Sequence, residues 1–323
     1  MKFIDSSINK KRGDTMTPIR QALLAAASTL AMAGTALAQD QCREVTFSDV
    51  GWTDITVTTS ATRQVLEALG YEVEVDILGV PVTYASMDKG DVDVFLGTWL
   101  PAQESAIGPY LEKGSIEEIT TNLEGTKYTL AVPTYLYDKG LKSYGDIAKF
   151  KDELEGKVYG IEPGNEGNEY LISLTEAGKP LEGFEVVQSS EQGMLAQVAR
   201  FYPQEKGVVF LGWEPHPMNA TFSLKYLPGG EDFFGEDGVV KTVARKGFKE
   251  DCPNVTKMLS QQKFTLPMEN EIMGKILDDG MEPDAAVMEW LKANPETVDP
   301  WLAGVTTVDG KDALPVVKEA LGL

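Results

Sequence analysis

Histidine and cysteine are scarce in this chain, and basic side chains are far outnumbered by acidic ones. One histidine (His216) and two cysteines (Cys42, Cys252) are spread over 323 residues, and 29 Lys and Arg face 50 Asp and Glu, for a formal charge of −21. A lone imidazole excludes a metal site built on paired histidines, and within Glu214-Pro215-His216-Pro217 it reads as a rigid loop residue rather than a general base. The excess of acid argues against nucleic acid and anionic lipid as partners, since both need a basic surface. Gly164-Asn165-Glu166-Gly167 has neither a phosphate-loop Lys nor the spacing of a dinucleotide fingerprint. No metal and no cofactor is expected.

Long apolar runs are also missing beyond the N-terminal segment. There, Lys10, Lys11, Arg12 and Arg20 precede an apolar, small-residue run from Ala22 to Leu37 that ends in Ala36-Leu37-Ala38. This is the pattern of a secretory signal peptide, and the run is shorter than the ~20 residues a membrane span needs. Residues 1–38 are expected to be removed before Gln39, with Met1 or Met16 as the start, and the mature protein is expected in the periplasm. Asp40 and Gln41 do not suit a lipoprotein signal ahead of Cys42. Losing five basic and two acidic side chains takes the charge to −24. In an exported chain Cys42 and Cys252 read as a disulfide, with two unpaired thiols as the alternative. Closing so long a loop is worth roughly 4 to 5 kcal/mol in the chain-entropy model.

What is present is ordinary globular composition, 42% apolar and 24% charged, in a chain long enough for two lobes. Tryptophan recurs in one context. Val94-Phe95-Leu96-Gly97-Thr98-Trp99-Leu100-Pro101 reads as a buried strand, a Gly turn and a Pro opening a helix. Val209-Phe210-Leu211-Gly212-Trp213-Glu214-Pro215 repeats that order, and a third apolar strand ends on Gly51-Trp52. Any one ring could be filling a core. Three rings at the carboxyl ends of strands stand where open α/β sheets bind ligands. Trp290 and Trp301, among helical apolar neighbours, are assigned to packing.

Strand and helix signals alternate from the mature N-terminus to Trp99 and again from Tyr128 to Trp213, predicting an α/β protein of two similar lobes. Each lobe is expected to be a mainly parallel sheet flanked by helices. The helical ending is read as completing the first lobe, so the chain crosses twice, near Thr121 and Val239. Lobe 1 is then residues 39–121 and 239–323, and lobe 2 is residues 122–238.

Trp52, Trp99 and Trp213 would meet between closed lobes. An aromatic cage without basic residues suits a quaternary ammonium, which spreads positive charge over methyl groups and has no N–H to satisfy. Asp54, two residues after Trp52, would add a negative charge, or serve only as a helix N-terminal acid. Gly51-Trp52-Thr53-Asp54, Gly97-Thr98-Trp99-Leu100-Pro101 and Gly212-Trp213-Glu214-Pro215-His216, together with the signal segment, resemble the substrate-binding proteins of quaternary-amine ABC importers, the glycine betaine/choline family, and within it the choline binders.

That resemblance covers the mature chain and implies a type II periplasmic binding protein that is not an enzyme. It closes on its ligand as a monomer and delivers it to a membrane permease. It implies a cage of Trp52, Trp99, Tyr128 and Trp213, Asp54 near the ammonium, and Asn165 bonded to a choline hydroxyl. Tyr128 enters through the resemblance alone, and Asn165 would serve equally as a helix cap. Choline is the expected ligand, acetylcholine a weaker one, and glycine betaine the runner-up, because a betaine carboxylate needs donors that the motifs lack. Lys127, adjacent to Tyr128 on a strand, is expected to face away. The contrary class is an exported enzyme acting on a choline ester.

Overall fold

A computed structural model describes residues 42–323, so the expected signal peptide lies outside the described residues. Among those described, no helix is long and apolar enough to cross a membrane. Nine strands form one continuous ladder: β1 Glu44–Asp49, β2 Glu72–Ile77, β3 Val94–Leu100, β4 Ile116–Pro133, β5 Lys157–Tyr159, β6 Glu185–Val187, β7 Phe210–Glu214, β8 Leu224–Tyr226 and β9 Gly238–Arg245. The helices used below are α1 Thr53–Ala68, α2 Val80–Lys89, α3 Glu104–Lys113, α4 Glu166–Ser173, α5 Glu191–Phe201, α6 Pro253–Gln261, α7 Leu266–Leu277, α8 Pro283–Ala293 and α9 Ala313–Leu321.

The strand order is β2-β1-β3-β9-β4-β7-β5-β6, with β8 beside β4. At each end lies a parallel trio, β2-β1-β3 and β6-β5-β7. These are the α/β units the sequence announces. The centre differs from a mainly parallel sheet. There β9 and β4 run antiparallel to each other and to the strands beside them, so the sheet as a whole is mixed. The reason is connectivity: strands that carry the chain from one trio to the other and back run in opposite directions.

β4 is the longer of those strands. It pairs with β9 from Ile116 to Thr126 and with β7 from Lys127 to Ala131. Three register shifts, between Glu118 and Thr120, Thr121 and Leu123, and Glu124 and Thr126, interrupt it. Each bulge adds a residue and reverses which face the next side chains take, so strict alternation is lost before Tyr128. That is why the sequence reads as a strand only from Tyr128 onward.

Gly97 and Gly212 do not turn the chain. Both lie inside strands, and a Cβ at Gly97 would sit 2.8 Å from the Phe95 ring and 2.9 Å from Ile55. At Gly212 it would sit 2.8 Å from the Ala131 Cβ. The two glycines let neighbouring elements approach closely. Pro101 and Pro215 then each follow a cis peptide bond, and α3 begins only at Glu104.

α1 buries Val57, Ala61, Val65 and Leu66 and packs against α7, α8 and α9. Polar pins reinforce that packing: Thr62 Oγ1 donates to Gln262 Oε1 at 3.0 Å and Ser60 Oγ to Asp284 Oδ1 at 2.6 Å. Cys42 and Cys252, with Cα atoms 5.2 Å apart, form a disulfide that ties the start of β1 to the start of α6.

Candidate ligand-binding site

A tight turn sets the first ring. Asp49 at the end of β1 accepts the Gly51 N–H at 2.7 Å through Oδ1 and the Thr56 hydroxyl at 2.8 Å through Oδ2. Gly51 takes φ +80°, a conformation glycine enters at no steric cost. Trp52 is thereby fixed at the N-cap of α1, with Asp54 in the first turn. Across the gap to β3, Trp99 Nε1 donates to Asp54 Oδ2 at 3.0 Å, while Trp52 Nε1 donates to Glu162 Oε2 at 2.9 Å. Both indole N–H groups are consumed by carboxylates, which orients the rings.

β4 and β7 bring the other pair. Tyr128 stands directly opposite Trp213 in the ladder, with ring centroids 6.4 Å apart and planes at 81°. Trp99 lies 6.2 Å from Tyr128, and Phe234 meets Tyr128 edge to face at 4.8 Å. The Tyr128 hydroxyl donates to Asn165 Oδ1 at 3.0 Å. That oxygen also caps α4, accepting from Gly167 N at 2.8 Å and Asn168 N at 3.3 Å. Asn165 is thus a helix cap, and its Nδ2 makes no hydrogen bond among the described residues.

Trp52, Asp54, Trp99, Tyr128, Asn165 and Trp213 all line one cavity, completed by Ala102, Gln103, Ile161 and Glu166. No Lys, Arg or His stands in this wall. Lys127 instead reaches over the Tyr226 ring, 5.7 Å from its centroid, as strand alternation requires.

The polar part of the wall is acidic and short of partners. Asp54 is 2% exposed and its Oδ1 has no hydrogen bond. Burial, with the nearby Glu191 carboxylate adding to it, pushes its pKa up to about 8. Glu166 in the first turn of α4 has both oxygens buried without a hydrogen bond, and burial pushes it up to about 7. Tyr128 is raised well above its ordinary value by burial and then by the Glu166 charge. A cation among these groups would reverse such shifts by favouring the charged forms.

Behind the wall lies a network that sequence reasoning did not find. Glu191, fully buried at the start of α5, accepts the Thr53 N–H at 3.0 Å and the Thr53 hydroxyl at 2.6 Å. His216 Nδ1 accepts from Met218 N at 3.0 Å, so Nε2 carries the proton that faces Glu191 Oε1 at 3.2 Å. Glu162 accepts the Glu191 N–H at 2.8 Å with one oxygen and holds Trp52 with the other. Nothing local marks Glu162 or Glu191 in an acidic chain: each sits near a helix start, where acids are common. Of the other two tryptophans, Trp301 is buried against Phe264 and Trp290 bonds Glu271, and neither reaches the cavity.

Comparison with known proteins places this geometry. Residues 43–293 match the family model described as the substrate binding domain of ABC-type glycine betaine transport systems. An ABC-transporter choline binding protein in complex with choline is 56% identical, with a TM-score of 0.86 over 88% of this chain and 99% of that one. A choline binding protein in an unliganded semi-closed conformation, also 56% identical, gives 0.81 over 87% and 99%. Lactococcal OpuAC with glycine betaine, 25% identical, gives 0.73 over 80% and 99%. A glycine betaine/carnitine transport binding protein of Listeria monocytogenes is 31% identical over 131 residues, 41% of this chain and 43% of that protein. The chain belongs to the substrate-binding domain family of ABC-type glycine betaine transport systems, with the type II periplasmic binding protein fold and the substrate-binding role of that family.

Proposed function

We propose that this protein captures choline in the periplasm between two lobes and hands it to the permease of an ABC importer. The lobes are those expected from the sequence, residues 39–121 with 239–323, and 122–238. Trp52, Asp54 and Trp99 come from the first, and Tyr128, Asn165, Glu166 and Trp213 from the second. The observation that carries the reading is a cavity walled by four aromatic rings and two carboxylates, with no basic side chain. A desolvated cation–π contact contributes about 2 kcal/mol, so four rings supply roughly the 8 kcal/mol of micromolar binding before ordering costs.

The same wall disfavours glycine betaine. A betaine carboxylate needs donors, the indole N–H groups of Trp52 and Trp99 are already bonded to Glu162 and Asp54, and the Asp54 and Glu166 carboxylates in the wall repel a second negative charge. Choline instead offers a hydroxyl donor and a net positive charge. Acetylcholine keeps the cation but loses that donor, so it binds more weakly. Export is supported by the signal-like segment of residues 1–38 and by the disulfide.

The test is calorimetric titration of unfolded and refolded mature protein, freed of carried-over ligand, with choline and then glycine betaine at neutral pH. Saturable choline binding at low micromolar or tighter, with betaine much weaker, is expected. Tighter betaine binding would overturn the choline assignment, and binding of neither would overturn the ligand class. Acetylcholine incubated with the protein is expected back intact; its hydrolysis would point to an enzyme.

A further inference from the structure

α1 begins on a residue that cannot cap it. Trp52 stands at the N-cap and makes no side-chain cap bond, so the Thr53 N–H at the head of a 16-residue helix needs an acceptor from elsewhere. The acceptor comes from the side of the opposite parallel trio. Glu191, the first residue of α5, accepts that N–H at 3.0 Å through Oε2 and the Thr53 hydroxyl at 2.6 Å through Oε1. A carboxylate at a helix N-terminus also gains from the helix dipole, and both partners are buried, so water does not compete for the bonds. The acceptor is braced from behind. His216 Nε2 lies 3.2 Å from Glu191 Oε1, and Glu162, which follows β5, accepts the Glu191 N–H at 2.8 Å while its other oxygen takes the Trp52 indole N–H at 2.9 Å. Bonds from the β6-β5-β7 side thus converge on two consecutive residues of the β2-β1-β3 side. Burial raises the pKa of Asp49, Asp54 and Glu162, and the Glu191 charge adds to each, so gathering these acids works against the same bonds and keeps them breakable.

We propose that Glu191 is a positioning residue that caps α1 from the other lobe and so latches the lobes shut, setting how long a ligand is held without touching it. This rests on the two-lobed binding function proposed above and adds the device that governs release. The cap exists only while the lobes are together, so its free energy counts for the closed state alone. It uses no atom of the ligand. Ligand-free protein therefore keeps a closed population, and loaded protein releases its ligand only after Thr53 has left Glu191 and Trp52 has left Glu162. Neither Glu191 nor Thr53 lines the cavity, so whatever retention they supply is supplied to every ligand alike.

Stopped-flow tryptophan fluorescence of the refolded protein with choline reads the latch in two variants. Glu191→Gln keeps the shape of the acid and removes its charge, and Thr53→Val keeps the N–H and removes the hydroxyl. In each, choline release is expected to speed up several-fold, the scale of a lost charge-assisted hydrogen bond, while the association rate constant is not lowered. Unchanged release in both folded variants would overturn the proposal. So would a loss of affinity carried by slower association, which is the mark of a distorted cage. Small-angle scattering gives a reading that needs no ligand: the ligand-free radius of gyration should be larger in Glu191→Gln than in wild type and equal to it with saturating choline. Equal ligand-free radii would overturn the latch. If Glu191→Gln fails to fold, Thr53→Val carries both measurements. Failure of wild-type protein to bind choline would instead remove the underlying function, while scattering still decides the latch, so the two failures are distinguishable.

Discussion

Glu191 and Glu166 are both acids in the first turn of a helix, and the carboxylates of both are withdrawn from water. Their surroundings are opposite. Every oxygen of Glu191 is bonded, to Thr53 twice and to His216, whereas neither oxygen of Glu166 is. A satisfied buried carboxylate holds the structure around it, and an unsatisfied one leaves free energy to be recovered by a ligand. Asp54 stands between them, with one oxygen bonded and one free. Ranking the three acids by unmet hydrogen bonds therefore separates scaffold from recognition.

The largest effect is expected where a ring and a carboxylate partner are lost together. Trp99→Ala removes one wall of the cage and frees Asp54 Oδ2, and choline affinity should fall about 100-fold with the circular dichroism of the fold retained. Normal affinity in a folded variant would remove Trp99 from the cage.

Asp54→Asn should weaken choline about tenfold and shrink its preference over betaine. Glu191→Gln sharpens the contrast. It loosens the Thr53 end of α1 and should weaken choline and betaine alike by several-fold, leaving their ratio unchanged. A changed ratio would show Glu191 taking part in recognition and break the distinction between the two classes of acid.

Acidity should act oppositely on the empty and the loaded protein. In the unfolded chain Asp54 and Glu166 titrate near 3.8 and 4.5, and in the empty folded protein near 8 and 7. Between these values the folded state holds protons that the unfolded state has released, so stability is present at low pH and lost as pH rises through 7 to 8. Glu269 is raised as well, by burial and then by the Asp54 charge, and adds to the trend. The ligand-free melting temperature should therefore be higher at pH 6 than at pH 8.5. Choline needs the ionised acids, so its affinity should fall several-fold over the same descent. A choline affinity flat from pH 8.5 to 6 would contradict this.

The smallest effect on binding is expected from the disulfide. Reducing Cys42–Cys252 removes a constraint worth about 2 to 5 kcal/mol of stability. Both ends lie beside elements of the first lobe, so choline affinity should stay within about twofold.

Much of the architecture was legible because helix and strand patterns alternate cleanly around Trp52, Trp99 and Trp213. The central strand was not, since three bulges in β4 erase alternation between Glu118 and Thr126. Gly97 and Gly212 carry the same letter as turn glycines, yet their work is close packing, which only the neighbours Phe95, Ile55 and Ala131 reveal. Within the cavity, the tryptophans were visible through a repeated local context, and Tyr128 was not, because its meaning comes from pairing with Trp213 across the ladder. Glu162, Glu166 and Glu191 were hidden among 50 acids, and only burial and bonding tell them apart.

The most direct measurement is a crystal structure of the refolded protein with choline. The nitrogen is expected within about 6 Å of the ring centroids of Trp52, Trp99, Tyr128 and Trp213, in the cavity that Asp54 and Glu166 also line. A ligand bound elsewhere, or one whose nitrogen lies away from these rings, would contradict the proposed cage.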